Sequence, residues 1–204
     1  MHINKSNNSM TEKRNKIVLL GEPSVGKSSI SLRISRNDYK DVYESTIGAA
    51  FHTIKIDDTM TLDIWDTAGQ ERYMSLSPMY YRNSRVILLV FDLNNLHTLD
   101  RLVTYFEKFK EEKLKNFACI IVGNKKDLVD DYQIQKKMHI ITDRFEQFNP
   151  IMNIQYMCVS AKENDGIYEL KDKIVQLCKE LAVDPSDSVV VLNNEPKNIS
   201  KCAC

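Results

Sequence analysis

Short apolar runs alternate with segments of helical periodicity along most of the 204-residue chain. The runs at residues 16–20, 86–91 and 118–122 are almost wholly apolar, as is typical of parallel strands buried on both faces. Residues 51–56 and 61–65 instead alternate between apolar and polar positions on either side of a polar turn. That alternation predicts a β-hairpin.

Helical periodicity fills the intervals between the strands. Strands that alternate with helices of this length predict βαβ units and a mainly parallel sheet. The expected fold is α/β, a mainly parallel six-stranded sheet with one antiparallel edge strand and helices on both faces. Pro150 is expected to end the third helix. The predicted helices cover residues 27–35, 99–106, 134–148 and 167–181, and the last strand covers 154–159.

The first buried strand is followed directly by Gly21-Glu22-Pro23-Ser24-Val25-Gly26-Lys27-Ser28. This is the P-loop pattern G-x-x-x-x-G-K-S in a strand–loop–helix context, where turn N–H groups and a helix N-terminus hold phosphates. Lys27 is expected to reach the β- and γ-phosphates, and the Ser28 hydroxyl to ligate Mg²⁺. The expected nucleotide-binding residues here are Gly21, Ser24, Val25, Gly26, Lys27, Ser28 and Ser29.

Three further polar clusters follow predicted strands, at residues 66–70, 124–127 and 160–162. Parallel sheets bind ligands at the carboxyl ends of their strands, so all four clusters are expected on one edge of the domain. The strand that ends near Asn124 is expected to lie beside the P-loop strand.

The segment Asn124-Lys125-Lys126-Asp127 predicts recognition of guanine. The Asp127 carboxylate can accept hydrogen bonds from both N1–H and the exocyclic amine of guanine, a pair that adenine lacks. The aliphatic stem of Lys125 can cover the face of the base. Ser160, Ala161 and Lys162 are expected to close the pocket.

The remaining expected residues concern the γ-phosphate. Asp66 is expected to hold Mg²⁺ through a water molecule, the Gly69 N–H to contact the γ-phosphate, and Gln70 to orient the attacking water. Thr46 can add its hydroxyl to Mg²⁺ while a γ-phosphate is present. Gln70, Lys27 and Thr46 are the expected catalytic residues, although Asp66 and Thr46 also suit ordinary turns and Gln70 an exposed surface.

Composition narrows the class of protein. The formal net charge is zero with 27% charged residues, so no basic field indicates nucleic acid. The five cysteines are scattered, which favours reduced thiols of a cytosolic protein over a disulfide framework. The polar start of the chain has no signal-peptide pattern, and no apolar stretch reaches the length of a transmembrane helix.

With these motifs in order, residues 14–181 resemble a small GTPase of the Ras superfamily. Four stretches are similar to the Rab family: Ile47-Gly48-Ala49-Ala50-Phe51, Ile64-Trp65-Asp66-Thr67, Arg72-Tyr73-Met74-Ser75-Leu76 and Tyr80-Tyr81-Arg82. The stretch Glu44-Ser45-Thr46-Ile47-Gly48-Ala49-Ala50-Phe51, with Ser77-Pro78-Met79-Tyr80-Tyr81-Arg82, is similar to its early-endosomal branch in particular. The resemblance implies a GTP/GDP switch that regulates vesicular traffic, hydrolyses GTP slowly and uses Mg²⁺. It implies residence on the cytoplasmic face of endomembranes, at the early endosome, with a cytosolic pool.

The resemblance also implies a domain plan: a flexible extension over 1–14, a G domain over 15–181, and a tail over 182–204. Cys202 and Cys204 resemble a doubly geranylgeranylated terminus, and two lipids anchor a protein stably where one does not. Phe51, Trp65 and Tyr80 are implied as an effector-facing trio; the alternative is that they are simply core aromatics. The implied partners of this monomer are effectors, an exchange factor, a GTPase-activating protein, a GDP-dissociation inhibitor and the prenylation machinery.

Three features depart from the Rab pattern. Pro23 has no N–H, so one possible phosphate donor is absent from the P-loop. The hairpin is about three residues shorter than is usual, which affects part of the effector surface, and Asn83-Ser84 replaces the more usual Gly-Ala. Two other functions stay open on sequence alone: a metabolic P-loop kinase, and a nucleotide-locked scaffold without turnover.

Overall fold

The structure, a computed structural model, describes residues 12–41, 44–70, 76–149 and 152–182. Six strands and five α-helices alternate along this part of the chain. The strands are β1 (Lys13–Leu20), β2 (Ala49–Lys55), β3 (Met60–Thr67), β4 (Val86–Asp92), β5 (Ala118–Asn124) and β6 (Asn153–Cys158). The helices are α1 (Lys27–Arg36), α2 (Ser77–Tyr81), α3 (Asp100–Glu111), α4 (Asp131–Phe145) and α5 (Ile167–Leu181).

The strands form one sheet in the order β2-β3-β1-β4-β5-β6. Every neighbouring pair is parallel except the β2–β3 hairpin, so the predicted fold class is confirmed. The expectation that β5 lies beside the P-loop strand β1 is wrong. β4 lies between them and pairs with both, because two successive crossovers each add one strand outward.

Helices cover both faces of the sheet. Because side chains alternate along a strand, Ile17 and Leu19 of β1 belong to the core beneath α1 and α5. Val18 and Leu20 belong to the core beneath α3 and α4. The near-continuous apolar runs of the central strands are thus explained by burial on two sides.

Several elements differ from the expected ones. Helix α2 was not predicted, and α3 extends to Glu111, five residues beyond the predicted end. β1 begins at Lys13 and pairs with β3 from there, so Lys13 and Arg14 belong to the sheet and not to an N-terminal extension. α4 ends at Phe145 and is followed by a 3₁₀ turn, Glu146–Phe148; Pro150 lies outside the described residues. Among the described helices, none has the length and hydrophobicity needed to cross a membrane.

Candidate nucleotide site

The carboxyl ends of the strands surround a pocket of about 480 Å³. Twelve of the sixteen residues expected to bind nucleotide line it: Ser24, Gly26, Lys27, Ser28, Ser29, Thr46, Gly69, Asn124, Lys125, Asp127, Ala161 and Lys162. The expected catalytic residue Gln70 lines it as well. The other four are buried and do not line the pocket: Gly21, Val25, Asp66 and Ser160.

Lys27 opens helix α1 and points back over the P-loop. Its Nζ donates to the carbonyl oxygens of Gly21 at 3.0 Å and Glu22 at 2.7 Å. Burial lowers the pKa of Lys27 to about 8, an effect that the nearby carboxylate of Asp66 partly opposes. A buried ammonium that is held only by two carbonyl oxygens is suited to an anionic ligand, which would raise the pKa again and stabilise the charged form.

Gly69 lies directly against the P-loop. A Cβ at this position would be 2.5 Å from the Nζ of Lys27 and 2.5 Å from the backbone nitrogen of Pro23. Only a glycine allows so close an approach, and Gln70, the next residue, also lines the pocket. The segment after β3 thus reaches the place where Lys27 and the P-loop meet.

Ser28, Thr46 and Asp66 bring together oxygen atoms that fit Mg²⁺. The hydroxyl oxygens of Ser28 and Thr46 are 3.0 Å apart. Asp66 is buried, and its Oδ1 has no hydrogen-bond partner among the described residues. Burial raises the pKa of this carboxyl group, against the effects of Ser28 and Lys27. Hard oxygen ligands and an unpaired buried carboxylate are what a divalent cation requires.

Asn124 joins the two ends of the pocket. Its Nδ2 donates to the carbonyl oxygen of Val25 at 2.9 Å, and its Oδ1 accepts from the backbone N–H of Ala161 at 3.1 Å. The side chain is buried, so neither bond is shared with solvent. The P-loop is therefore held in fixed relation to the loop after β6.

The Asp127 side chain is oriented by the loop after β6. The hydroxyl of Ser160 donates to Asp127 Oδ1 at 2.5 Å and accepts from the backbone N–H of Glu163. Lys125 is oriented by an ion pair with Asp92 at 2.7 Å. The two residues expected to contact the base are thus each held by a neighbour. Asp92 was not predicted as a site residue, and Ser160 was predicted only to close the pocket.

Comparison with known proteins gives the family of the chain. Residues 16–180 match the model of the Ras family. The chain is 37% identical to "Ras-related protein Rab-5A" of Dictyostelium discoideum over 84% of its length and 82% of the relative's. It is 39% identical to "GTP-binding protein YPT53" of Saccharomyces cerevisiae, over 76% and 72%, and 36% identical to "Ras-related protein RABF2a" of Arabidopsis thaliana, over 89% of each.

The chain belongs to the Ras family, as a Rab small GTPase. Proteins of this family bind GTP and GDP, hydrolyse GTP and regulate vesicle traffic, and the relatives place the chain near the Rab5-like members. Membership excludes a metabolic P-loop kinase. Small GTPases of this family are GTP hydrolases, so the family function is not that of a scaffold without turnover.

Of the three aromatic residues expected on the effector surface of this Rab protein, Trp65 contacts both of the others. The ring centroids of Phe51 and Trp65 are 5.2 Å apart, and those of Trp65 and Tyr80 are 6.2 Å apart. Phe51 is 49% exposed, and Ile47 and Met79 are 80% and 63% exposed. Trp65 and Tyr80 are half-buried and pack against the core beneath α3 and α4, so only Phe51 of the trio is exposed and the other two join the surface to the core.

Several residues of the Rab site were missed by sequence reasoning. Arg33 of α1 donates to the carbonyl oxygens of Ala161 at 2.7 Å and Lys162 at 2.8 Å, and so holds the loop after β6. Asp92 could have been found, because it ends an otherwise apolar strand. Arg33 carries no such signal, since an arginine on a helix is most often solvated. Tyr39 and Leu128 also line the pocket.

Some predicted positions lie outside the described residues. These are Cys202 and Cys204 at the end of the tail, and the segment 71–75 that follows Gln70.

Proposed function

We propose that this Rab protein is a magnesium-dependent GTP/GDP switch that acts at the early endosome. The observation that carries the proposal is the single pocket that has the P-loop at one end and Asn124, Asp127 and Ala161 at the other. A ligand that fills it must combine a phosphate chain with a base that suits a carboxylate.

Mg²⁺ would be held by Ser28 and Thr46, with Asp66 in support, and would supply charge for the phosphates. Lys27 adds a second positive charge beside them. Thr46 lies in the segment between α1 and β2, so its hydroxyl couples that segment to the phosphate site. Loss of the γ-phosphate would release this coupling, which is the physical basis of a switch.

Gln70 acts by holding a water molecule in line with the γ-phosphate, next to the close contact that Gly69 makes with the P-loop. Asp127 and Lys125 select guanine. The cluster of Phe51, Trp65 and Tyr80 is the effector surface, and geranylgeranyl groups on Cys202 and Cys204 attach the protein to the membrane. The name "Ras-related protein Rab-5A" of one relative supports the endosomal assignment.

Dissociation of labelled GTP and GDP, with Mg²⁺ and with excess chelator, tests the switch. We expect chelator to accelerate release of both nucleotides. Thr46→Ala should accelerate release of GTP while it leaves GDP release unchanged, because the Thr46 contact depends on the γ-phosphate. Ser45→Ala is the matched control, since it removes the adjacent hydroxyl. Equal effects of Thr46→Ala on GTP and GDP would contradict the switch role.

A further inference from the structure

The edge of the sheet opposite the nucleotide pocket carries a groove of about 740 Å³. It lies where β1 and β4 begin and is completed by the turn after α3. None of the residues assigned to nucleotide, metal or effector binding lines it. We call it the basic groove, and its charged lining consists of Arg14, Lys16, Arg82, Arg85, Lys113, Lys115 and one carboxylate, Glu112.

The charge of this lining contrasts with the rest of the protein. Six cationic side chains and one carboxylate give the groove a formal net charge of +5, whereas the whole chain has a formal net charge of zero. Part of the opposing charge lies beside the groove, where Asp63 pairs with Arg14, and the rest lies elsewhere on the molecule. A concave surface with such an excess of one sign attracts polyanionic ligands over several ångströms.

The carboxylates near the groove are already engaged. Glu112 accepts from the Tyr81 hydroxyl at 2.6 Å and pairs with Arg82 at 3.1 Å. Asp63, outside the groove, makes a two-point contact with Arg14 at 2.6 and 2.8 Å. Within residues 12–41, 44–70, 76–149 and 152–182, no carboxylate lies within ion-pair distance of Lys113 or Lys115, and both are exposed.

The groove also lies where the chain leaves the G domain. Arg85 Nη1 donates to the carbonyl oxygen of Leu181, the last residue of α5, at 3.2 Å. Cys202 follows Ala182 by 20 residues, and a coil of that length spans roughly 25 Å on average. Lipids on Cys202 and Cys204 would thus bring a bilayer close to this edge and keep the nucleotide pocket on the far side.

We propose that the basic groove is the membrane-facing surface of the protein and binds the phosphate-bearing headgroups of anionic lipids. The proposal rests on the membrane attachment proposed above, and it assigns to the folded domain a task that the tail cannot perform. The tail over residues 183–204 has two aspartates, one glutamate and two lysines, so it is not a polybasic segment that could recognise anionic lipid.

Vesicle binding by the full chain, GDP-loaded and without lipid modification, tests the groove independently of Cys202 and Cys204. The probes are vesicles of phosphatidylcholine alone and vesicles with 30% phosphatidylserine, compared by co-sedimentation. We expect binding to the second vesicle only, and weaker binding as salt rises. Each basic residue near an anionic surface contributes about fivefold, so Lys113→Gln with Lys115→Gln should weaken binding by about 25-fold.

The matched control replaces Lys136 and Lys171, two lysines outside the groove, with glutamine and should leave vesicle binding within about twofold of wild type. Equal binding to both vesicles, including none to either, would overturn the proposal. It would also be overturned if soluble glycerophosphoserine bound as tightly as the vesicle, which indicates a small-molecule phosphate site. Tighter binding of a polyglutamate peptide than of the vesicle would indicate an acidic protein partner instead. Nucleotide exchange measured in the same samples reports separately on the switch.

Discussion

Replacing Asn124 with alanine should lower the free energy of unfolding by about 3 kcal/mol, because the side chain satisfies two buried backbone groups at once. Its Nδ2 donates to the Val25 carbonyl oxygen at 2.9 Å, and its Oδ1 accepts from the Ala161 N–H at 3.1 Å. Val25 is 0% exposed and Ala161 is 2% exposed, so water does not replace the lost partner. An unsatisfied buried donor or acceptor costs roughly 1–3 kcal/mol. Two such groups, each costing an amount in the lower half of that range, together give about 3 kcal/mol.

Urea unfolding of nucleotide-free protein in excess chelator is the appropriate assay, since a change in nucleotide affinity then cannot add to the measured difference. Asn153→Ala is the matched control. Asn153 is exposed on β6 and its side chain accepts only from Gln155, so a change within about 0.5 kcal/mol is expected.

The same variant should release GDP faster, because the P-loop and the loop after β6 are no longer held together. A loss below about 1 kcal/mol for Asn124→Ala, indistinguishable from that of Asn153→Ala, would refute the reasoning that this side chain links the two halves of the pocket.

Three further predictions concern the pocket and the core. Gly69→Ala should weaken GTP binding by roughly 5- to 150-fold in an equilibrium titration, because the added methyl group would lie 2.5 Å from both Lys27 Nζ and Pro23 N and overpacking costs about 1–3 kcal/mol; unchanged affinity would mean that the contact opens freely. Asp127→Asn should reduce the preference for GTP over ATP by roughly 10- to 100-fold in competition binding, because a two-point contact is lost, and an unchanged preference would contradict its role. Burial raises the pKa of Cys178 to about 12, so the folded state keeps a proton that the unfolded state loses above about pH 9. Stability should therefore fall as pH rises from 9 to 11, and in urea unfolding the Cys178→Ala variant should lose about 1.4 kcal/mol less per pH unit than wild type; equal slopes would show that this thiol does not contribute.

Local patterns in the sequence were sufficient to predict the strands, four of the five α-helices and the motifs; the short helix α2 (Ser77–Tyr81) was missed. The apolar runs located the buried strands, and the P-loop and Asn124 to Asp127 were correctly expected at one edge of the sheet. Strand order was not predictable in the same way, since a parallel crossover can add a strand on either side and no local pattern records which. This is why β5 was expected beside β1, whereas β4 lies between them.

Contacts between distant side chains were also beyond the sequence. The bonds from Arg33 to the loop at Ala161 join residues 128 apart in the chain, and no periodicity reports such a pair. The end of α4 shows a subtler limit. Phe145 and Phe148 are three residues apart, a spacing that fits both α and 3₁₀ geometry, and both are buried although only the first belongs to the helix.

Our central proposal is that the protein binds GTP in this pocket, with Mg²⁺ at Ser28, Thr46 and Asp66, and hydrolyses it through Gln70. Single-turnover hydrolysis of GTP with Mg²⁺, measured on wild type and Gln70→Leu with bound GTP quantified in each, tests this most directly. Gln135→Leu, an exposed glutamine on α4, is the control. We expect wild type and control to turn over on the order of 10⁻⁴ to 10⁻³ per second, and Gln70→Leu to bind GTP equally but hydrolyse it at least about tenfold more slowly. Equal rates in all three proteins, or stoichiometric GTP that wild type never hydrolyses, would contradict the account.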